Sequence, residues 1–330
     1  MLIGKFKSNH PFLYVVLVFL ALVLWIDGFI HYKQTSLQYD NAAPLYGWIA
    51  NFFDKLPFLS VLLSFLFMLL QTFMFNKVIC DKNLVDRNSH LPALLFMVLM
   101  SSSFSMFGLQ PIWFANFFLI LALDKIFDVF SEDDVFIEIF NVGFLVSLAS
   151  LFYLPALWFI ILVFSALIIY FLLNIRGIIA SIIGFVTPYF FVALYFYWFD
   201  MLVEKSSGLW EFHQPLGIFS LDYTPYAKVS LGVFGFISLV AIAKTYLGTI
   251  LDKPVRIRKR FQILLVFFLI SLVSTLFASD YLQVHHAMIM LPLAAIYATF
   301  FQQSKKVFWN EFFFSLLIVL ILLGKLVRLD

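Results

Sequence analysis

Along the chain, long apolar runs alternate with short polar stretches. A helix needs roughly 20 consecutive apolar residues to cross the hydrocarbon core of a bilayer. On that measure the runs predict helices over 11–30, 57–76, 91–107, 112–128, 136–151, 153–173, 177–199, 229–250, 262–279, 284–301 and 308–327. None shows the strict alternation of a membrane β-strand. The stretch 136–173 is too long for one span, and Tyr153-Leu154-Pro155 supplies the break. Proline disrupts a helix interior and biases the residue before it away from helix. The expected fold is all-α, a polytopic helical membrane protein of about eleven transmembrane helices in one integral membrane domain, 1–330. Seven spans fall in 1–199; 200–330 holds a long loop and four more.

Lysine and arginine give the orientation. With the N-terminus placed in the cytoplasm, fourteen of the 21 fall in cytoplasmic segments, six in outer segments, and Lys244 within a span. This bias predicts a cytoplasmic N-terminus and an outer C-terminus. The cluster Lys253, Arg256, Arg258, Lys259 and Arg260 holds the second half to the same sign. The first run follows Lys5 and Lys7, as in a signal peptide. Trp25, Asp27 and His31 stand where a small-residue cleavage site would be, so the run is read as a retained span.

Two outer loops are long, 31–56 and 200–228. In the first, Leu45, Trp48, Ile49, Phe52 and Phe53 recur at helical spacing opposite Asn41, Asn51, Asp54 and Lys55. That pattern predicts a short helix lying in the outer interface. The second carries Trp210, His213, Pro215, Tyr223 and Pro225, and reads as an irregular segment resting on the membrane surface.

Composition narrows the functional classes. The chain is 63% hydrophobic and 12% charged, against about a quarter charged in soluble domains. A formal charge of +2 with no basic face and interleaved aromatics argues against a nucleic-acid partner. Cys80 is the only cysteine, which excludes an internal disulfide and a cysteine-based metal site. No phosphate-binding glycine loop, nucleophile elbow or zinc-protease helix occurs, so neither a cofactor nor a metal is expected. No acidic residue sits at mid-span, which counts against an ion-coupled carrier.

The candidate chemistry lies at the outer ends of the spans. Asp27 closes the first span beside Gly28 and close to His31. A carboxylate in apolar surroundings can serve as a general base; it can equally be a polar helix terminus at headgroup level. His285 and His286 open the tenth span just after Asp280, and with His31 and His213 put four of six histidines outside. They could hold a phosphate, although neighbours in a helix point to different faces, so the pair is weak metal evidence. On the cytoplasmic side Ser131-Glu132-Asp133-Asp134 fits a capping box, and Asn88-Ser89-His90 before Pro92 fits a helix start.

Four stretches together carry a resemblance: Asn88-Ser89-His90-Leu91-Pro92-Ala93-Leu94-Leu95, Ala115-Asn116-Phe117-Phe118, the run from Gly143 to Leu157, and Gly184-Phe185-Val186-Thr187-Pro188-Tyr189. The set resembles an uncharacterised family of multi-pass inner-membrane proteins of Bacteroidota, which implies a bacterial inner-membrane location and no assigned activity. More broadly, the first seven spans look like the common module of GT-C glycosyltransferases, in which a first span leads to an outer loop with interfacial helices. That likeness implies a polyprenyl-phosphate-sugar donor, with Asp27 as base and Asp40 as second choice. Lys33, His31, His285 and His286 would then be the candidate phosphate contacts. The chain departs from the GT-C pattern in lacking an adjacent acidic pair early in the loop and a large outer domain. Three functional classes follow: a lipid-linked transferase, a non-catalytic subunit with an envelope protein partner, and a transporter. The transporter predicts a central polar path and related halves, neither of which the sequence shows. Membrane lipids are partners in every case.

Overall fold

The computed structural model describes residues 2–7, 10–32, 44–129, 135–203, 225–278, 282–303 and 307–326. Every regular element among them is helical. α1 (Leu2–Phe6) leads into α2 (Phe12–Ile30), and α3 (Tyr46–Phe53) into α4 (Pro57–Asp81). Next come α5 (Leu91–Met100), a 3-10 turn at Phe104–Phe107, α6 (Pro111–Asp128) and α7 (Val135–Phe152). A 3-10 stretch, Leu154–Phe159, precedes α8 (Ile160–Ile169) and α9 (Ile175–Trp198). The last third holds α10 (Pro225–Lys244) with a π-turn at Thr245–Thr249, α11 (Val255–Ser274), α12 (Leu282–Gln303) and α13 (Val307–Leu326).

Among the described residues, six helices are long and apolar enough to cross a membrane: Phe12–Ile30, Pro57–Asp81, Val135–Phe152, Ile175–Trp198, Val255–Phe277 and Val284–Gln303. The expectation of eleven similar spans is therefore refined. Four apolar segments are shorter, and α6 carries Asp124, Lys125 and Asp128 in its last turns. α5 has only 10 residues, about 15 Å of helix against a core of ~30 Å. The break at Tyr153-Leu154-Pro155 is present, with Tyr153 extended between α7 and the 3-10 stretch. The basic cluster is helical from Val255 onward, in the first turns of α11.

Two helices occupy the centre. Every residue of α5 is buried, and α12 is buried on nearly all sides from Val284 to Phe301. α12 packs against α5, α6, α10 and α11. α2 and α9 are outermost and expose apolar side chains, among them Phe12, Val15 and Phe19 on α2 and Ile183, Phe190 and Phe191 on α9. α3 turns Tyr46 and Ala50 inward and exposes Trp48 and Phe52. The Tyr46 hydroxyl donates to the Leu109 carbonyl at 2.8 Å and sets which face of α3 packs on the bundle.

α7 and α9 meet through small residues, as helices in an apolar medium do when backbones approach closely. A Cβ on Gly184 would lie 2.2 Å from the Phe140 carbonyl oxygen, and one on Gly143 would lie 2.5 Å from that of Ser181. Further along, Ser150 and Tyr189 share a hydrogen bond of 2.7 Å.

One end of the bundle gathers charge. Lys82, just past α4, bridges Asp124 at 2.9 Å and Asp128 at 2.6 Å. Burial pulls the Lys82 ammonium down, but these two carboxylates outweigh it and hold it above its ordinary value. Arg260 is buried and donates to the carbonyls of Lys82 (2.6 Å) and Phe127 (2.9 Å), closing the C-terminal ends of α4 and α6 with a cation. Lys125 pairs with Glu138 at 3.2 Å.

α4, α8 and α9 end alike. The N–H groups of Leu84, Leu172 and Met201 reach back to the carbonyls of Ile79, Leu167 and Phe196. Asn83, Phe171 and Asp200 sit in the left-handed region just before them, with φ of 57°, 60° and 56°. This is the Schellman arrangement, normally built with glycine.

The stretch 88–95 ties three elements to the charged end. Leu91 N–H donates to Ser89 Oγ at 3.2 Å, Ala93 N–H to Asn76 Oδ1 at 3.1 Å, and Leu94 N–H to the His90 carbonyl at 3.1 Å. Pro92 has no N–H, so the first turn of the buried α5 leaves no donor stranded. His90 N–H donates to the Phe6 carbonyl at 2.8 Å, and Ser89 lies 3.3 Å from Gln302 Oε1 at the end of α12. The His90 ring is buried edge-on to Tyr14, and neither ring nitrogen has a hydrogen-bond partner among the described residues.

Burial lowers the His90 pKa from its ordinary value of 6.5. An unfolded chain therefore takes up this proton first, and the stability that neutral His90 contributes falls away as pH drops below 6.5. His90→Phe is expected to leave the thermal midpoint at neutral pH unchanged or higher and to flatten its decline on acidification, read by thermal unfolding in detergent from pH 7.5 to about 5.

Candidate functional site

Asp27 and His31 end a helix that rests on a break in the helical pattern. α5 stops at Met100, and 101–110 runs through a serine-rich bend and the 3-10 turn before Pro111 restarts the helix. Irregular backbone in an apolar interior must have its polar groups met by protein. Ser64 Oγ donates to the Phe107 carbonyl at 2.8 Å, and Ser60 Oγ accepts from Leu109 N–H at 2.9 Å. Tyr46 takes the Leu109 carbonyl, and Trp113 Nε1 donates to the carbonyls of Met106 (3.1 Å) and Gly108 (3.2 Å).

α2 seats directly on this segment. Trp25 Nε1 donates to Ser101 Oγ at 2.9 Å. Gly28 is required by close approach, since a Cβ there would lie 2.7 Å from the Phe107 ring. Asp27, between these two contacts, is half-buried. Its carbonyl accepts from His31 N–H at 2.8 Å, and His31 Nδ1 lies 3.2 Å from the same oxygen. His31 therefore caps the C-terminal end of α2. Ser102, Ser103 and Ser105 are half-buried nearby, with the last two hydroxyls 2.7 Å apart. The 3-10 turn touches both α2 and α12, so the helices carrying Asp27 and the His285-His286 pair flank the same segment.

The two histidines have different surroundings, as their spacing requires. His285 is fully buried. Its Nδ1 lies 2.8 Å from the Tyr153 hydroxyl, and its Nε2 lies 3.1 Å from Ser274 Oγ and 3.2 Å from the Ser271 carbonyl. A carbonyl only accepts, so the network assigns the proton to Nε2, with Tyr153 donating to Nδ1. Both nitrogens are thus committed to joining α11, α12 and the α7–α8 break. The ring does not face outward as the sequence suggested. His286 is half-buried. Lys33 and Asp40 lie outside the described residues, as do Ser131-Glu132-Asp133-Asp134 and most of the loop 200–228. Among the described residues no group of three or more His, Cys, Asp or Glu could hold a metal ion.

The sequence reading missed the partners: Tyr153, Ser271, Ser274, Ser101 and the serines of α4. Single hydroxyls lower the mean hydropathy of an apolar run too little to stand out. The one available signal was spacing, since Ser271 and Ser274 are three residues apart and share a helix face. Asn116 was also passed over; it is buried and its side-chain amide lies 3.4 Å from the Ala287 carbonyl.

A family of unknown function, DUF6427, matches residues 46–329. The chain belongs to DUF6427. The match begins at α3, so it contains His285, His286 and the whole buried network, while Asp27, His31, Lys33 and Asp40 precede it. No curated protein and no solved structure matches this DUF6427 chain.

The His285 network is open to a direct test. His285→Phe removes the acceptor of the Tyr153 hydroxyl inside the bundle and leaves Ser274 only its local bond to the Ser271 carbonyl, and is expected to cost about 1–3 kcal/mol. Thermal unfolding should show Tyr153→Phe/His285→Phe costing less than the sum of the single changes, the signature of a shared bond.

Proposed function

We propose that the protein is a non-catalytic subunit or scaffold of an envelope complex, embedded in a bacterial inner membrane by eleven crossings with its N-terminus in the cytoplasm. The eleven-crossing reading counts each short or broken segment as one traverse, so that successive elements alternate between the charged end and the Tyr46 end. Accumulated lysine and arginine supports placing the charged end in the cytoplasm. A location in Bacteroidota and a GT-C-like first half remain part of this reading as resemblances.

The observation that carries the subunit reading is the commitment of His285 to the interior. Within the family match, the polar groups with defined geometry hold helices together: His285 joins three elements, Asn116 meets α12, and Ser89 ties α5 to α12. The exposed apolar faces of α2 and α9 are then available to lipid and to a partner within the membrane.

A second reading is favoured by Asp27, half-buried beside the serine-rich bend. In a GT-C-like transferase its carboxylate would take the proton of an acceptor hydroxyl. The acceptor oxygen would bond to the sugar anomeric carbon as the bond to phosphate breaks, and polyprenyl phosphate would leave with the electron pair. Lys33, Asp40 and His286 are then the groups to examine around the donor.

Two measurements test these proposals. In a Cys80→Ala background, Lys55→Cys is expected to react with a membrane-impermeant maleimide in intact spheroplasts, and Asp252→Cys only after permeabilisation; the reverse pattern inverts the topology. Where deletion of the gene gives a phenotype, Asp27→Asn at normal protein level is expected to complement fully. A loss of about 100-fold or more, the weight of a general base, would overturn the subunit reading in favour of the transferase.

A further inference from the structure

The turn between α8 and α9 presents an exposed aromatic residue under backbone strain. Phe171 takes the left-handed position of a Schellman end with φ of 60°, and is 86% exposed. Glycine adopts that conformation without strain, and asparagine and aspartate tolerate it, as at Asn83 and Asp200. A phenylalanine there gains almost no burial in return. Its neighbours Leu173 and Ile175 are also exposed, at 55% and 77%.

What lies beside the ring is positive. Lys259 Nζ stands 4.6 Å from the Phe171 ring centroid and 5.7 Å from that of Tyr170. Arg256 is exposed one turn earlier and close enough to act electrostatically on Tyr170 and Arg260. Arg176 is exposed at the start of α9. Residues 252–260 hold five lysines and arginines against one acid, Asp252. Of the other described acids at this end, Asp124 and Asp128 are paired with Lys82 and Glu138 with Lys125, while Asp81 and Asp86 are exposed at and just past the end of α4.

We propose that the α8–α9 turn and the first turns of α11 form a binding site for an anionic phospholipid headgroup. In it Lys259 and Arg256 meet the phosphate, and Phe171, Leu173 and Ile175 enter the acyl-chain boundary. Charge complementarity selects an anionic lipid over a zwitterionic one, and exposed apolar residues beside the cations select a lipid over a free anion. The proposal rests on the bundle lying in a membrane with its charged end at one leaflet.

The test titrates the purified full-length protein in detergent with phosphatidylglycerol, phosphatidylcholine or inorganic phosphate, and reads the thermal midpoint. Phosphatidylglycerol alone is expected to raise it. Phe171→Gly should raise the lipid-free midpoint by relieving the strain, yet weaken the response to phosphatidylglycerol. Lys259→Gln should raise the half-maximal lipid concentration roughly fivefold, the weight of one interfacial cation. Equal shifts from both lipids, or parental responses in both variants, would overturn the site. A shift from phosphate alone would overturn the lipid assignment. Failure of the underlying membrane reading would show separately, as a protein released from membranes without detergent.

Discussion

The fold depends on satisfying backbone polar groups at the place where helix is interrupted inside the bundle. Between α5 and α6 the chain leaves regular helix for ten residues, 101–110. Each unsatisfied backbone group in an apolar interior costs several kcal/mol. Ser60 and Ser64 on α4, Tyr46 on α3 and Trp113 on α6 meet those groups. The requirement fixes the rotation of α4, because the two serines are four residues apart on one face. It fixes the rotation of α3 through Tyr46. It also explains why α2 carries glycine at position 28, where the bend comes closest to it.

The charged end solves a related problem in another way. α4 and α6 both finish there with carbonyls that no further turn can use. A single buried guanidinium serves both, and Lys82 offsets the two carboxylates that α6 places at its own negative end. The two ends of the bundle thus differ in the chemistry that closes them, hydroxyls and indole at one and cations at the other.

Hydrophobic periodicity made the helical class, the break at Tyr153-Leu154-Pro155 and the helix start at His90 legible in the sequence. It could not rank the helices by position. α12 is the most buried of the long described helices, yet it carries His285, Thr299 and Gln302, while the most exposed, α2 and α9, are apolar nearly throughout. A central helix touches protein on all sides and can afford polar groups; a peripheral one cannot. The same ambiguity misplaced His285. Its position at the start of a span suggested the surface, and only its contacts with Tyr153 and Ser271, 132 and 14 residues away, reveal an interior site. Asp27 was visible because a carboxylate stands out in an apolar run, but the serine-rich bend beside it was not.

The position of α12 in the chain has a consequence for assembly. Synthesis runs from the N-terminus, so α5, α6, α10 and α11 emerge before the helix against which they pack. Until residues 282–303 arrive, the amide of Asn116 and the hydroxyl of Tyr153 lack the partners on α12 that they have in the finished bundle, while the Ser271 carbonyl has the hydroxyls of Ser274 and Thr275 on its own helix. α12 then makes these contacts, joining α6, α11 and the α7–α8 break after all three have been synthesised. Closure of the interior is therefore late in synthesis: a chain ended before α12 holds α5 but not the second helix of the centre.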